Sequence, residues 1–248
     1  MKRLAILVGE AIECEKETYR FFKAINFVEN IEYVPVKDLL DQKFTFENYQ
    51  KGDGVFLPGG FAFADHFGAG KLLAYWLKKA KVFEQVEEKG LHVFGACNGF
   101  QMLCCSGVFG DGVSLEPNMR DGKRIGFVDR WVTLTTEGPL PESTLRLPVR
   151  HGEGRLVFDK LPSNVQPFIK YADPNFENGS REKIAGLMAK RTDSTYWGLM
   201  PHPEVALYPL MDPDIVGAEY FPKFRAALRE NTGDGVKLMT AIFKYLES

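Results

Sequence analysis

The 248-residue sequence predicts one doubly wound α/β domain, a mostly parallel sheet with helices on both faces and antiparallel strands added late in the chain. Three observations predict it. Short aliphatic runs without polar alternation, such as Leu4-Ala5-Ile6-Leu7-Val8, mark strands covered on both faces. Helix-length segments alternate with these runs, which suits right-handed crossovers between parallel neighbours. From Arg124 to about Val157 the pattern turns to period two, as in Trp131-Val132-Thr133-Leu134-Thr135, the mark of antiparallel ribbon.

Leu4 to Val8 reads as the first strand. It follows Met1-Lys2-Arg3 but stops at Gly9-Glu10, too short for the apolar region of a secretory signal. Glu13 to Ile25 carries Cys14, Tyr19, Phe22 and Ile25 at helical spacing, and Ile31 to Val36 is a second strand. Gly54 to Leu57 is a third, closed by the breaker cluster Pro58-Gly59-Gly60. Leu72 to Ala80 is a helix that Val82 to Lys89 continues or repeats. Leu91 to Gly95 is a fourth strand, and Phe100 to Cys105 opens a helix behind it. After the ribbon of Trp131–Thr135 and Leu145–Arg150, short strands are expected at Val165–Tyr171, Ile184–Met188 and Tyr196–Met200. Asp173 to Arg181 is a polar loop, and Phe221–Leu228 and Val236–Leu246 close the chain as helices. No repeat or low-complexity linker divides it, so residues 1–248 read as a single domain.

Composition narrows the function. A formal charge of -2 and no basic run argue against a nucleic-acid or anionic-membrane binder. No stretch of about 18 apolar residues offers a transmembrane helix. Cys14, Cys97, Cys104 and Cys105 form no C-x-x-C pair and show no disulfide-like spacing, which fits reduced thiols and a cytoplasmic location. Apolar neighbours place Cys104 and Cys105 in a core helix. Asn178-Gly179-Ser180 matches a glycosylation sequon but lacks a secretory signal to give it meaning.

Cys97 is the candidate nucleophile. It lies in Gly95-Ala96-Cys97-Asn98-Gly99, entered from a strand and left through a helix, the spacing of a nucleophile elbow. The helix behind it directs free N–H groups at the thiol and favours thiolate. A thiol nucleophile needs a base and a group to orient that base. Of the four histidines, His92 sits inside a strand and His66 in a loop beside Asp65. His202 is the best base: it follows an apolar strand in Gly198-Leu199-Met200-Pro201-His202-Pro203-Glu204. Pro203 biases His202 toward extended backbone, which would put His202 and Glu204 on one side. The Asn98 backbone N–H and the Gly59-Gly60 turn, here assigned to Gly60, supply candidate oxyanion donors.

Other chemistries fit less well. Gly68-Ala69-Gly70-Lys71 lacks the preceding glycine and the hydroxyl residue of a phosphate loop, and His151-Gly152-Glu153 has no P-C-x-x-C to make a zinc deaminase. No metal is expected.

Pro58-Gly59-Gly60-Phe61, Gly95-Ala96-Cys97-Asn98-Gly99-Phe100-Gln101, His151-Gly152-Glu153-Gly154-Arg155, Asn178-Gly179-Ser180 with Ile184-Ala185-Gly186, and the His202-Pro203-Glu204 block occur in this order. Together they closely resemble the class I (triad) glutamine amidotransferases, and more narrowly the glutaminase subunits of phosphoribosylformylglycinamidine synthase. The resemblance implies a flavodoxin-like sheet and a catalytic set of Cys97, His202 and Glu204. It implies L-glutamine as substrate, with Gln101, His151, Gly152 and Glu153 helping to hold it. As partner it further implies a separate synthetase subunit, with or without a small accessory subunit. It implies no cofactor in this chain, ATP and Mg²⁺ belonging to the synthetase. The departures are the Gly9-Glu10-Ala11-Ile12-Glu13-Cys14 turn, the Asp65–Lys71 segment, and Val205 where the family commonly has arginine. Two other readings compete: a cysteine peptidase or deglycase of the same fold, with Glu10 or Glu13 as its acid, and a binding subunit without activity.

Overall fold

The computed structural model describes residues 1–9, 11–65, 68–216, 222, 225–226 and 229–248. Its main sheet has nine strands in the order β2-β1-β3-β4-β13-β12-β11-β8-β9. The first five are β1 (Arg3–Val8), β2 (Asn30–Pro35), β3 (Gly54–Leu57), β4 (His92–Ala96) and β13 (Ser194–Leu199), all mutually parallel. The order 2-1-3-4-5 of this parallel half is that of flavodoxin-like folds, whose ligands sit beyond the carboxyl ends of the strands. The other four, β8 (Val128–Thr136), β9 (Thr144–His151), β11 (Val165–Tyr171) and β12 (Ile184–Arg191), extend it as an antiparallel half. The expected ribbon is thus continuous with the main sheet. β5 (Ser114–Glu116) pairs with β10 (Arg155–Val157), and β6 (Met119–Arg120) with β7 (Lys123–Arg124), as two small separate sheets.

Strand alternation builds the two cores. In β1, Ala5 and Leu7 enter one apolar cluster, while Leu4 and Ile6 enter the other. Under the first face lie α2 (Val36–Leu40), α3 (Lys71–Lys79), α4 (Val82–Lys89) and α5 (Asn98–Ser106), through Leu39, Leu73, Leu77, Val86 and Leu103. The second face is covered by α1 (Glu15–Ile25) and, past the short α6 (Pro213–Val216), by α7 (Asp234–Leu246). The central strands β3, β4 and β13 are buried along their whole length, which is why their sequences lack polar alternation.

Among the described residues the expected elements are present, with ends displaced by up to three residues, as where β8 begins at Val128 and β12 runs on to Arg191. The closing helix expected at Phe221–Leu228 falls largely outside the described residues. The helix expected from Glu13 starts at Glu15, with Cys14 as its cap, and ends at Asn26 in the left-handed region, φ 53°. Among the described residues no helix is long and apolar enough to cross a membrane.

The antiparallel half positions the site by curling back. The His202 N–H donates to the carbonyl of Pro148 in β9, 2.9 Å away, although β9 is the far edge strand of the sheet. The end of β9 therefore lies beside the carboxyl ends of β4 and β13.

Candidate active site

Cys97 holds a backbone that cysteine rarely adopts, φ 51° and ψ -107°. Two hydrogen bonds fix it: its N–H donates to Leu199 O at 2.8 Å, and its carbonyl accepts from Gln101 N at 3.1 Å. The flanking glycines are demanded by close approach. A Cβ on Gly99 would lie 1.9 Å from the Leu57 carbonyl oxygen, because α5 rests directly on β3. A Cβ on Gly95 would lie 2.7 Å from the Gly99 carbonyl. The elbow thus presents Cys97 at the start of α5, where the helix places partial positive charge. The thiol hydrogen-bonds to the Arg150 carbonyl, 3.4 Å away on the returning β9.

His202 and Glu204 are both buried, and Glu204 Oε1 lies 2.6 Å from His202 Nδ1. This pairing is reached differently from the expected extended geometry. Pro203 begins a short 3₁₀ turn, Pro203–Val205, whose tight winding brings Glu204 back to the ring of His202. The carboxylate fixes the proton on Nδ1, so Nε2, which has no hydrogen-bond partner, is left as the acceptor. Burial opposes a charge on His202, but Glu204 and then Cys97 outweigh it. The imidazole is held well above its ordinary range and readily keeps a proton.

The expected oxyanion donors are unengaged. The N–H groups of Gly60 and Asn98 have no acceptor among the described residues. Gly60 has φ 145°, and a Cβ there would lie 2.6 Å from the Ala11 carbonyl oxygen. Asn98 does more than lend its backbone. Its Oδ1 accepts from the Ala62 N–H at 3.1 Å, and its Nδ2 donates to Asp65 Oδ1 at 3.2 Å. The side chain therefore ties the 59–65 turn to the start of α5 and sets the spacing of the two donors. A thiol on an elbow, a buried imidazole–carboxylate pair and two free N–H groups make an arrangement that could carry out acyl transfer from an amide.

Comparison with known proteins gives the family. Residues 1–229 match the family described as the CobB/CobQ-like glutamine amidotransferase domain. The chain belongs to this family. It is 32% identical over 229 residues to the phosphoribosylformylglycinamidine synthase subunit PurQ of Aquifex aeolicus, covering 82% of this chain and 91% of that protein. It is 31% identical to PurQ of Saccharolobus solfataricus, covering 85% and 92%. Among solved structures it resembles a chain of PurLQS from Thermotoga maritima, with TM-score 0.68, 27% identity and coverage of 92% and 98%.

In this amidotransferase the remaining expected residues form a frame beside the elbow. Gln101 Nε2 donates to the Glu153 carbonyl at 2.7 Å, and Gln101 Oε1 accepts from Asn98 Nδ2 at 2.8 Å. Glu153 Oε2 accepts from the Ala69 N–H at 3.4 Å, and the Gly152 carbonyl accepts from Asn118 N at 2.9 Å. Asn118 is a member that sequence reading missed. Its Nδ2 donates to the His151 carbonyl at 2.8 Å, and its Oδ1 accepts from Gly154 N at 3.1 Å. Asn178 is buried, with its Nδ2 donating to Gly154 O at 2.9 Å, so the sequon serves as a loop clamp. Ser180 completes the clamp by accepting from Leu156 N at 3.0 Å.

His151 is buried and neither ring nitrogen has a partner. Burial, with His202 as a second cause, pushes it down to about 3. The folded protein keeps it neutral, whereas the unfolded chain protonates it below about 6.5. Below that pH the unfolded state binds the extra proton, so stability falls as pH drops from about 6.5 toward 3. In urea titrations His151→Gln should remove roughly 3 kcal/mol of the stability lost between pH 6.5 and pH 4. An unchanged pH slope would refute this. His92, pushed down to about 4 chiefly by burial, supplies the residual slope in the variant.

The other candidates separate cleanly. His92 is structural: its Nδ1 lies 3.0 Å from Thr195 Oγ1 inside the sheet. Glu13 is exposed, so the carboxylate at the histidine comes from Glu204; Glu10 and His66 lie outside the described residues. Cys104 is buried as expected, but Cys105 is exposed, because adjacent helical positions point in different directions. Two neighbours of the nucleophile carried no signal in the sequence. Tyr171 ends β11 with a buried, unpartnered hydroxyl, its phenol pushed up by burial and by nearby Cys97. Cys14 caps α1, with its thiol beside His202.

Proposed function

We propose that this chain is the glutaminase subunit of a phosphoribosylformylglycinamidine synthase, acting through Cys97, His202 and Glu204. The observation that carries the chemistry is the strained Cys97 elbow, with the buried His202–Glu204 pair, 2.6 Å apart, beside it. As Cys97 Sγ bonds to the side-chain carboxamide carbon of glutamine, His202 Nε2 takes the thiol proton. The Gly60 and Asn98 N–H groups receive the charge that builds on the carbonyl oxygen. His202 then returns the proton to the nitrogen, the C–N bond breaks, and ammonia departs from a γ-glutamyl thioester. Water attacks the thioester, His202 takes its proton, and glutamate leaves as the thiol is restored. Glu204 holds the Nδ1 proton throughout and offsets the charge on the imidazolium. Gln101 and the His151-Gly152-Glu153 loop shape the glutamine pocket.

The ammonia goes to a synthetase subunit that binds ATP and Mg²⁺ and converts formylglycinamide ribonucleotide to formylglycinamidine ribonucleotide in purine biosynthesis. The names of the curated relatives support this reading, as does the likeness to PurLQS. A small accessory subunit is a further candidate member of the assembly.

The chain alone should hydrolyse glutamine slowly, because ammonia released without an acceptor wastes glutamine. Adding the organism's synthetase, ATP and acceptor should raise turnover at least about tenfold. Rapid hydrolysis indifferent to the partner would overturn that assignment. No hydrolysis in either condition would favour a binding subunit.

A further inference from the structure

We propose that Cys14, His202 and Glu204 form a binding site for a thiophilic divalent cation of the zinc class, and that its occupation switches the nucleophile off. One ligand atom from each residue lies within 4.8 Å of the other two. His202 and Glu204 are buried and Cys14 is half-buried. His202 Nε2 and Glu204 Oε2 have no hydrogen-bond partner, so the site holds unused donor atoms. Gly59 lets the thiol and the ring approach one another closely, since it carries no side chain between them. A Cβ there would lie 2.8 Å from His202 Cε1 and 3.2 Å from Cys14 Sγ.

The donor set selects the ion. Thiolate, imidazole and carboxylate together suit zinc, which accepts three such ligands and keeps a fourth position open. Magnesium and calcium require oxygen cages that this cluster lacks. Tetrahedral bonds of about 2.0–2.3 Å place zinc ligands roughly 3.5 Å apart, so small side-chain rotations close the present spacing. Binding releases the Cys14 thiol proton and any proton on the ligating ring nitrogen to solvent, and replaces the hydrogen bond between His202 and Glu204.

The inhibitory consequence rests on the glutaminase reading; the binding does not. A metal on either ring nitrogen removes His202 as the acceptor for the Cys97 proton, because Nε2 is occupied or Nδ1 no longer holds its proton toward Glu204. Hydrolysis then stops without a change in the glutamine pocket.

Co²⁺ is the spectroscopic probe. The wild-type chain, and a Cys97→Ala, Cys105→Ser variant, should each take up one equivalent with a sulfur-to-cobalt charge-transfer band. Adding Cys14→Ser to that variant should abolish the band. Absence of the band in the wild-type chain overturns the proposal however the variants fold, and so does a band that survives loss of Cys14. In the synthetase complex, Cys14→Ser should raise the Zn²⁺ concentration for half-inhibition of glutamine hydrolysis at least tenfold. Equal inhibition would refute the switch. A Co²⁺ band in a chain that hydrolyses no glutamine would leave the site standing and overturn the glutaminase reading instead.

Discussion

Cys97→Ala eliminates glutamine-dependent amination by the assembled synthase, while amination from added ammonia continues. The expected loss with glutamine is at least about 10⁴-fold, since no other group can form the thioester and removal of a covalent nucleophile leaves only residual binding effects. The variant should fold. The elbow is held by Cys97 N to Leu199 O, 2.8 Å, and Gln101 N to Cys97 O, 3.1 Å, which are backbone bonds that alanine keeps. Alanine carries no more strain than cysteine at φ 51°. Cys97→Ser should behave alike, because a hydroxyl is a far weaker nucleophile than a thiol beside the same base. Initial rates with glutamine and with ammonium at matched acceptor concentration measure the contrast. Loss of both activities would show that Cys97 holds the structure together and would remove it from the chemistry.

Glu204→Gln should lower kcat by about 10⁴-fold with little change in KM, the loss seen when the buried carboxylate of such a triad becomes an amide. The substitution preserves shape and burial. It removes the negative charge that, against the burial of His202, keeps the imidazole well above its ordinary range. Once the carboxylate is gone, burial acts with less opposition and the imidazolium formed during attack loses its main stabilisation. The glutamine pocket is untouched, so substrate affinity stays. A drop of less than about tenfold, or a rise in KM that accounts for the whole loss, would remove Glu204 from its role as orienter.

Cys97, His202 and Glu204 were legible because each sits in a local pattern. The glycines at 95 and 99 announce a helix packed tightly on a strand, and the structure places the Gly99 Cβ position 1.9 Å from Leu57 O. His202-Pro203-Glu204 announces a constrained pair, although a 3₁₀ turn makes the contact instead of extended chain. Asn118, Tyr171 and Cys14 were not legible. Each is a common residue in an ordinary context, and its partner lies far along the chain: Asn118 with His151, Tyr171 with Cys97, Cys14 with His202. Cys14 reads in sequence as one more apolar position of a helix, and becomes the cap of that helix beside the base only when α1 folds back.

The sequence by itself determined the parallel half of the sheet, the elbow and the family, because these depend on periodicity, on tight turns and on motifs only a few residues long. Only the tertiary structure decided how the antiparallel half curls. That curl brings the Arg150 carbonyl to Cys97 Sγ and the Pro148 carbonyl to His202 N, at 3.4 and 2.9 Å. It also leaves one histidine beside two thiols. The physical reason is that local patterns fix backbone shape over a few residues, whereas the approach of distant strand ends depends on the twist and packing of the whole sheet.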